Sequence, residues 1–122
     1  PKFFRLNKNV KERIVISIDD GYKWIKNNQI SFDVIIVDCT DPNPIAKKLY
    51  SRMFYKFIYG SLKKNGVLIQ QSGSPILNKE DIIKPTTKNL EKLGFKDIEL
   101  FSFDMPIYPL GLWSFIKCKK AQ

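Results

Sequence analysis

The sequence predicts an α/β fold with a mostly parallel sheet whose final strand runs antiparallel. Runs rich in β-branched residues alternate with segments of helical periodicity, which is typical of parallel strands joined by crossover helices. Residues 34–37, inside the predicted strand 33–38, are apolar at consecutive positions, which indicates a strand buried on both faces. The last two predicted strands are separated by about six residues, too few for a parallel crossover.

The first half of the chain predicts three elements. Residues 13–18 are rich in isoleucine and valine and predict a strand, which the turn residues 19–21 end. A short amphipathic helix begins at Tyr22 and ends in the polar run 27–29. The buried strand 33–38 follows, and a loop with two prolines comes after it.

The second half predicts two helices and three strands. A helix from residue 49 or 50 to 63 has apolar side chains at helical spacing, and Asn65-Gly66 is expected to end it as a C-cap. Another helix lies within 78–93, where Pro85 must start, kink or split it, and Gly94 ends it. The predicted strands are 67–71, 96–104 and 111–119, with a turn over 105–110 between the last two.

Composition limits the function classes. A chain of 122 residues, 43% hydrophobic and 13% aromatic, fits one small globular domain. No apolar run approaches the roughly 20 residues that span a bilayer, and no secretory leader is visible, so a cytoplasmic protein without membrane contact is expected. Cys39 and Cys118 form no CxxC motif, and the chain has no histidine. This chain by itself therefore predicts no metal site and no histidine-dependent nucleophile.

The net charge of +9 raises the possibility of a nucleic-acid partner, because lysine and arginine neutralise phosphates. The basic residues are scattered along the chain, however, and none forms a recognised nucleic-acid motif. A solvated surface without a nucleic-acid partner is the favoured interpretation. A non-catalytic basic binding module stays open as the alternative.

The sequence VDCTDP, residues 37–42, places two carboxylates directly after the predicted buried strand. In parallel sheets, ligands bind just beyond the carboxyl ends of the strands. Asp38 and Asp41 are therefore expected at the mouth of a site. The alternative is that both acids only cap a loop or a helix.

Four motifs are similar, in order and spacing, to those of the polyamine aminopropyltransferases, the spermidine synthase family: DDG at 19–21, DCTDP at 38–42, GVLIQQ at 66–71 and PIYPLGLWSF at 106–115. The resemblance implies a Rossmann-like, methyltransferase-type sheet. Residues 1–122 would form part of the catalytic domain, its carboxyl-terminal half, without the amino-terminal β-domain and the glycine-rich nucleoside loop. Little or no turnover is then expected of the isolated chain.

The family joins the aminopropyl group of decarboxylated S-adenosylmethionine to putrescine, giving spermidine and methylthioadenosine. The resemblance implies that this chain acts in the same transfer, with decarboxylated S-adenosylmethionine as co-substrate, no other cofactor and a homo-oligomer, such as a dimer, at full length. The implied roles are catalysis for Asp38, nucleoside binding for Asp20 and Gly21, and polyamine binding for Asp41, Gln71, Tyr108 and Trp113.

The chemistry of these residue types suits such a transfer. A diamine is a dication at neutral pH, because its amines titrate near the lysine value of about 10.4. Only a neutral amine attacks a carbon next to a sulfonium, so a carboxylate that attracts the cation and accepts its proton is needed. Aromatic side chains add cation–π attraction of about 0.5–2 kcal/mol.

The segment Asn43-Pro44-Ile45-Ala46-Lys47 departs from the family pattern, which usually has Gly-Pro-(Ala/Gly)-Glu in this region. A methyltransferase of the same fold, with intact S-adenosylmethionine as donor, is the nearest alternative enzyme. The amine acceptor is left open between putrescine, cadaverine and spermidine.

Overall fold

The computed structural model describes residues 12–40, 42–44 and 46–121. Within them no helix is both long and apolar enough to cross a membrane. The elements are α1 (Gly21–Asn27), β1 (Phe32–Val37), a 3₁₀ turn (Ala46–Tyr50), α2 (Arg52–Ser61), β2 (Leu62–Gly73), a π-helical turn (Lys79–Ile83), α3 (Lys84–Leu93), β3 (Phe95–Asp104), a second 3₁₀ turn (Pro109–Gly111) and β4 (Leu112–Lys120).

The four strands form one sheet in the order β1-β2-β4-β3. β1 runs parallel to β2, from the pair Val34 and Val67 to the pair Val37 and Gln70. β4 lies antiparallel to both β2 and β3. The α/β class and the antiparallel final strand are therefore confirmed, with the parallel pairing located between β1 and β2.

The core lies between the sheet and helices α2 and α3. Phe54 and Ile58 of α2 and Leu90 of α3 are buried there against Leu68 of β2 and Ile116 of β4. Because these side chains recur at helical spacing on α2 and at alternate positions on the strands, each element contributes one apolar face. The described helices thus cover one face of the sheet.

Local signals fix the helix ends. The Ser51 hydroxyl accepts a hydrogen bond from the Phe54 amide at 3.2 Å and caps α2. Pro85 lies in the first turn of α3, where its missing N–H costs nothing, and the predicted break within 78–93 falls at the change from π- to α-helix. Gly94 ends α3 with φ of 94°, as the sequence predicted.

The predicted strand 13–18 is wrong. These residues have no regular structure, and Val15 and Ile18 are 93% and 100% exposed. A strand needs a neighbour to pair its backbone N–H and C=O groups, and none of the described strands lies beside this segment. High β-propensity alone therefore does not produce the element.

The prediction that β1 is buried on both faces is also wrong. Ile35 and Val37 pack against the core, whereas Val34 and Ile36 on the opposite face are 50% and 68% exposed. The described helices cover one face only, and β1 is the edge strand of the described sheet. The consecutive apolar residues of β1 thus leave an uncovered apolar strip.

The second helix ends two residues before the predicted end at 63, and the strand after it begins five residues before the predicted start at 67. α2 ends at Ser61, and β2 begins at Leu62 instead of Val67. Asn65 does adopt a left-handed conformation, with φ of 63°, but inside the irregular start of β2. The Asn-Gly signal therefore marks the irregularity inside β2, between the pairings of Leu62 and Val67 with β1, and not the helix terminus.

Burial raises the pKa of the Cys118 thiol from 9.0 to about 12. Above pH 9 the unfolded chain releases this proton while the native thiol keeps it, so we predict that the free energy of unfolding falls as pH rises. The slope for one such thiol is at most about 1.4 kcal/mol per pH unit. Denaturant unfolding between about pH 9 and 10, below the titration of most tyrosines, measures it.

The variant Cys118→Ala removes the ionisable group and is the matched control. It should be less stable at neutral pH but should lose most of this alkaline slope. Equal slopes in the two proteins would contradict the assignment.

Candidate active site

The sheet brings the ends of three segments together. Because Val37 pairs with Gln70 in parallel register, Asp38, which follows β1, and Gln71, near the end of β2, lie at the same edge. β4 runs the other way and pairs Phe115 with Gln71, so the start of β4, with Trp113, lies at this edge too. Polar and aromatic side chains distant in sequence meet at this end of the sheet.

A cleft of about 540 Å³ opens there, and we call it the polar cleft. Four of the seven predicted site residues line it together with two residues of the loop after β1. The lining residues are Asp38, Cys39, Thr40, Gln71, Tyr108 and Trp113.

Tyr108 and Trp113 form an aromatic wall of the polar cleft. Their ring centroids are 4.4 Å apart at an interplanar angle of 53°. The turn before β4 holds Tyr108 in place, since its amide donates to the Met105 carbonyl at 3.0 Å and its carbonyl accepts from the Gly111 amide at 2.9 Å. The wall is thus built by the turn and by the first residues of β4.

Gln71 joins this wall to the opposite side of the polar cleft. Its side-chain oxygen accepts a hydrogen bond from the Trp113 indole N–H at 3.1 Å. Its amide nitrogen donates to the Tyr50 hydroxyl at 2.6 Å, and Tyr50 in turn donates to the Thr40 carbonyl at 2.9 Å. Tyr50 is not among the site residues predicted from the sequence, where its one signal is its place shortly after DCTDP; in the structure it ends the 3₁₀ turn at 46–50.

A second opening, which we call the apolar groove, adjoins the first. It has a volume of about 460 Å³ and lies between α1, β1 and the 3₁₀ turn at 46–50. Gly21, Trp24 and Leu49 line it, and so does Asp38. Asp38 and the neighbouring Cys39 line both openings, so the loop after β1 forms the boundary between them.

Asp20 lies at the amino end of α1 and not at the end of a strand. Its carboxylate accepts from the Lys23 amide at 2.9 Å and so caps the helix. Gly21 is the first residue of that helix. The structure places Gly21, but not Asp20, among the residues that line the apolar groove.

Asp38 is exposed just after β1, where it lines both openings. The cause is the open face of the loop, where Thr40 is exposed as well. Asp41, the remaining predicted site residue, lies outside the described residues, and its role stays a prediction. No group of three or more carboxylate or thiol side chains that could hold a metal ion occurs in the described part of the chain.

The chain is similar to known proteins over most of its length. The family model described as "Spermine/spermidine synthase domain" matches residues 2–122. The polyamine aminopropyltransferase of Methanocaldococcus jannaschii is 40% identical over 109 residues, which cover 89% of this chain and 37% of that protein. That of Xylella fastidiosa is 41% identical over 107 residues, covering 87% and 37%. The chain thus spans about 37% of the length of these relatives.

Solved structures show the same similarity. A spermidine synthase in complex with the transition-state analogue AdoDATO matches with a TM-score of 0.77 and 29% identity over 87% of this chain and 36% of that one. The spermidine synthase of Thermotoga maritima matches with a TM-score of 0.71 and 29% identity over 84% and 34%. A basic binding module of unrelated fold is not favoured by these matches. With nearly the whole chain covered by one family model, the chain belongs to the spermine/spermidine synthase family.

Proposed function

We propose that the protein containing this chain transfers the aminopropyl group of decarboxylated S-adenosylmethionine to putrescine. The observation that carries the proposal is the position of Asp38 between the apolar groove and the polar cleft. A transfer between two ligands requires their reacting atoms to meet at one point. Asp38 stands at the boundary where a nucleoside in the groove and an amine in the cleft would meet.

The proposed step balances with the residues at this boundary. The lone pair of a neutral amine nitrogen attacks the aminopropyl carbon next to the sulfonium and forms the new C–N bond. The C–S bond breaks, and its electron pair goes to sulfur, which leaves neutral methylthioadenosine. Asp38 accepts, as general base, the one proton that the ammonium nitrogen must lose before its lone pair can attack, and the product nitrogen stays protonated.

The polar cleft suits the rest of the diamine. The wall of Tyr108 and Trp113 offers its ring faces to an alkylammonium group. Because Tyr108 is 40% exposed, the cation–π attraction should lie near the exposed-site value of about 0.5–1 kcal/mol. The local carboxylate therefore supplies the main attraction for the dication despite the net charge of +9, since surface charges beyond about 8 Å are screened at physiological salt.

The apolar groove suits the nucleoside. Trp24, Leu49 and Val37 give it apolar walls against which a planar base and a thioether can pack. Asp20 uses one carboxylate oxygen to cap α1, which leaves the other oxygen available to accept from an exocyclic amino group. We propose that the 122-residue chain alone catalyses the transfer slowly, because the part of the nucleoside site that this chain forms is open to solvent.

The Asp38→Asn variant tests the proton acceptor. In the protein as its gene encodes it, Asp38→Asn should lower kcat by roughly 10²–10⁴-fold at saturating diamine, the usual loss when general-base help is removed. Asp33→Asn is the control, because Asp33 is an exposed carboxylate of β1, the strand before Asp38, and its ion pair is with Lys63 at 3.2 Å. Full turnover in Asp38→Asn would contradict the general-base role and would indicate that DCTDP is only a structural loop.

The same assay identifies the substrates. Putrescine, cadaverine and spermidine are compared as acceptors, and decarboxylated and intact S-adenosylmethionine as donors. Aminopropyl transfer to putrescine is the expected result. Methyl transfer from the intact donor would instead favour a methyltransferase.

Two substitutions of Asp20 separate its two roles. Asp20→Ala should lower the free energy of unfolding by about 1 kcal/mol, because the Lys23 amide loses its cap, whereas Asp20→Asn should keep nearly full stability. Both variants should bind methylthioadenosine more weakly in calorimetric titration, since a charged acceptor bonds about twice as strongly as a neutral one. If Asp20→Asn binds methylthioadenosine as tightly as the wild-type protein, Asp20 only caps the helix and does not bind the nucleoside.

A further inference from the structure

A series of hydrogen bonds links residues from opposite sides of the polar cleft, and we call it the hydroxyl relay. It runs from the Trp113 indole to Gln71, from Gln71 to Tyr50 and from Tyr50 to the Thr40 carbonyl, with separations of 3.1, 2.6 and 2.9 Å. Its members come from β4, the end of β2, the 3₁₀ turn at 46–50 and the loop after β1. Tyr50 lies at the middle of the relay.

Two groups that can only donate hydrogen bonds determine which atom donates and which accepts at each step of the relay. The Trp113 indole N–H can only donate, and so can the Gly73 backbone N–H, which reaches the same Gln71 oxygen at 3.0 Å. These two donors occupy both lone-pair positions of that oxygen. The Gln71 amide nitrogen must then face Tyr50, whose oxygen accepts, and the Tyr50 proton is directed to Thr40.

The surroundings of Tyr50 hold it in this position. Its ring is half-buried, and the preceding Leu49 carbonyl accepts from the Gln70 side chain at 3.1 Å. The Cys39 thiol also approaches the Tyr50 hydroxyl at 3.5 Å. Contacts from β2 and from the loop after β1 therefore converge on one phenol.

We propose that Tyr50 is a positioning residue for the transfer reaction. Its hydroxyl sets the orientation of the Gln71 amide and holds the Thr40 carbonyl, and with it the loop that begins at Asp38, in register with the aromatic wall at Trp113. Tyr50 itself does not line the polar cleft among the residues described there and acts through its partners. The catalytic part of this inference rests on the proposed aminopropyl transfer, whereas the relay itself does not.

The relay can be tested without activity, by NMR of the indole N–H groups. The chain has two tryptophans, Trp24 and Trp113, and Trp113→Phe identifies which signal belongs to which. In Tyr50→Phe the Gln71 amide loses its acceptor, so the Trp113 signal should move by more than its linewidth. The Trp24 signal, from α1, should stay in place.

Tyr55→Phe is the matched control. It also removes a phenol hydroxyl, one that donates to Gln70 at 2.6 Å on the core side of β2. This buried loss should cost about 1–3 kcal/mol of stability, but the Gln70 amide nitrogen keeps its bond to the Leu49 carbonyl at 3.1 Å, so the Trp113 signal should stay unchanged. General destabilisation and loss of the relay are thereby told apart.

The kinetic test uses the protein as its gene encodes it. Tyr50→Phe should lower kcat by roughly 10–100-fold, because a displacement near 1 Å at a reacting group costs up to that much, and should leave the affinity for methylthioadenosine nearly unchanged. Tyr55→Phe, assayed well below its unfolding temperature, should keep most of the turnover.

Each outcome decides the inference. An unmoved Trp113 signal in Tyr50→Phe overturns the relay, and a moved signal with wild-type kcat overturns the positioning role. If the wild-type protein transfers no aminopropyl group at all, the proposed function fails, and the positioning role fails with it, while the NMR shift still decides whether the relay exists.

Discussion

The antiparallel pairing of β4 between β2 and β3 is the constraint on which the polar cleft depends. Buried hydroxyls fix its register: Ser72 and Ser114 lie 2.7 Å apart, and Ser114 donates to the Gly73 carbonyl at 2.8 Å. Such buried polar groups are costly if left unpaired, so a slip of one residue would be strongly disfavoured. This register is what places the Trp113 indole over Gln71.

The parallel pairing of β1 with β2 supplies the second half of the arrangement. It sets the loop after β1 beside the end of β2, and Asp38 thereby comes to lie between two openings of different character. One opening is walled by apolar side chains and the other by polar and aromatic ones. A carboxylate at their boundary suits a reaction that joins an amine to a carbon held by a nucleoside.

The sequence predicted the elements whose signals are local. Helical spacing located α2 and α3, and a short connection made β4 antiparallel. The predicted strand 13–18 is wrong because a strand needs a neighbouring strand to pair with, and the β-propensity of its own residues does not show whether one is present. Tyr50 was missed because its partner Gln71 is 21 residues away, a contact that no periodicity of the chain reveals. Asp20 was placed at a turn, yet its capping of α1 is the contact that the structure adds.

A crystal structure of the protein as its gene encodes it, with methylthioadenosine and putrescine bound together, tests the central claim most directly. The account predicts the nucleoside in the apolar groove beside Gly21 and the diamine in the polar cleft against Trp113. One amine nitrogen should lie within about 3 Å of the Asp38 carboxylate and face the sulfur. Both ligands bound with the amine away from Asp38, or the diamine outside the polar cleft at saturation, would contradict it.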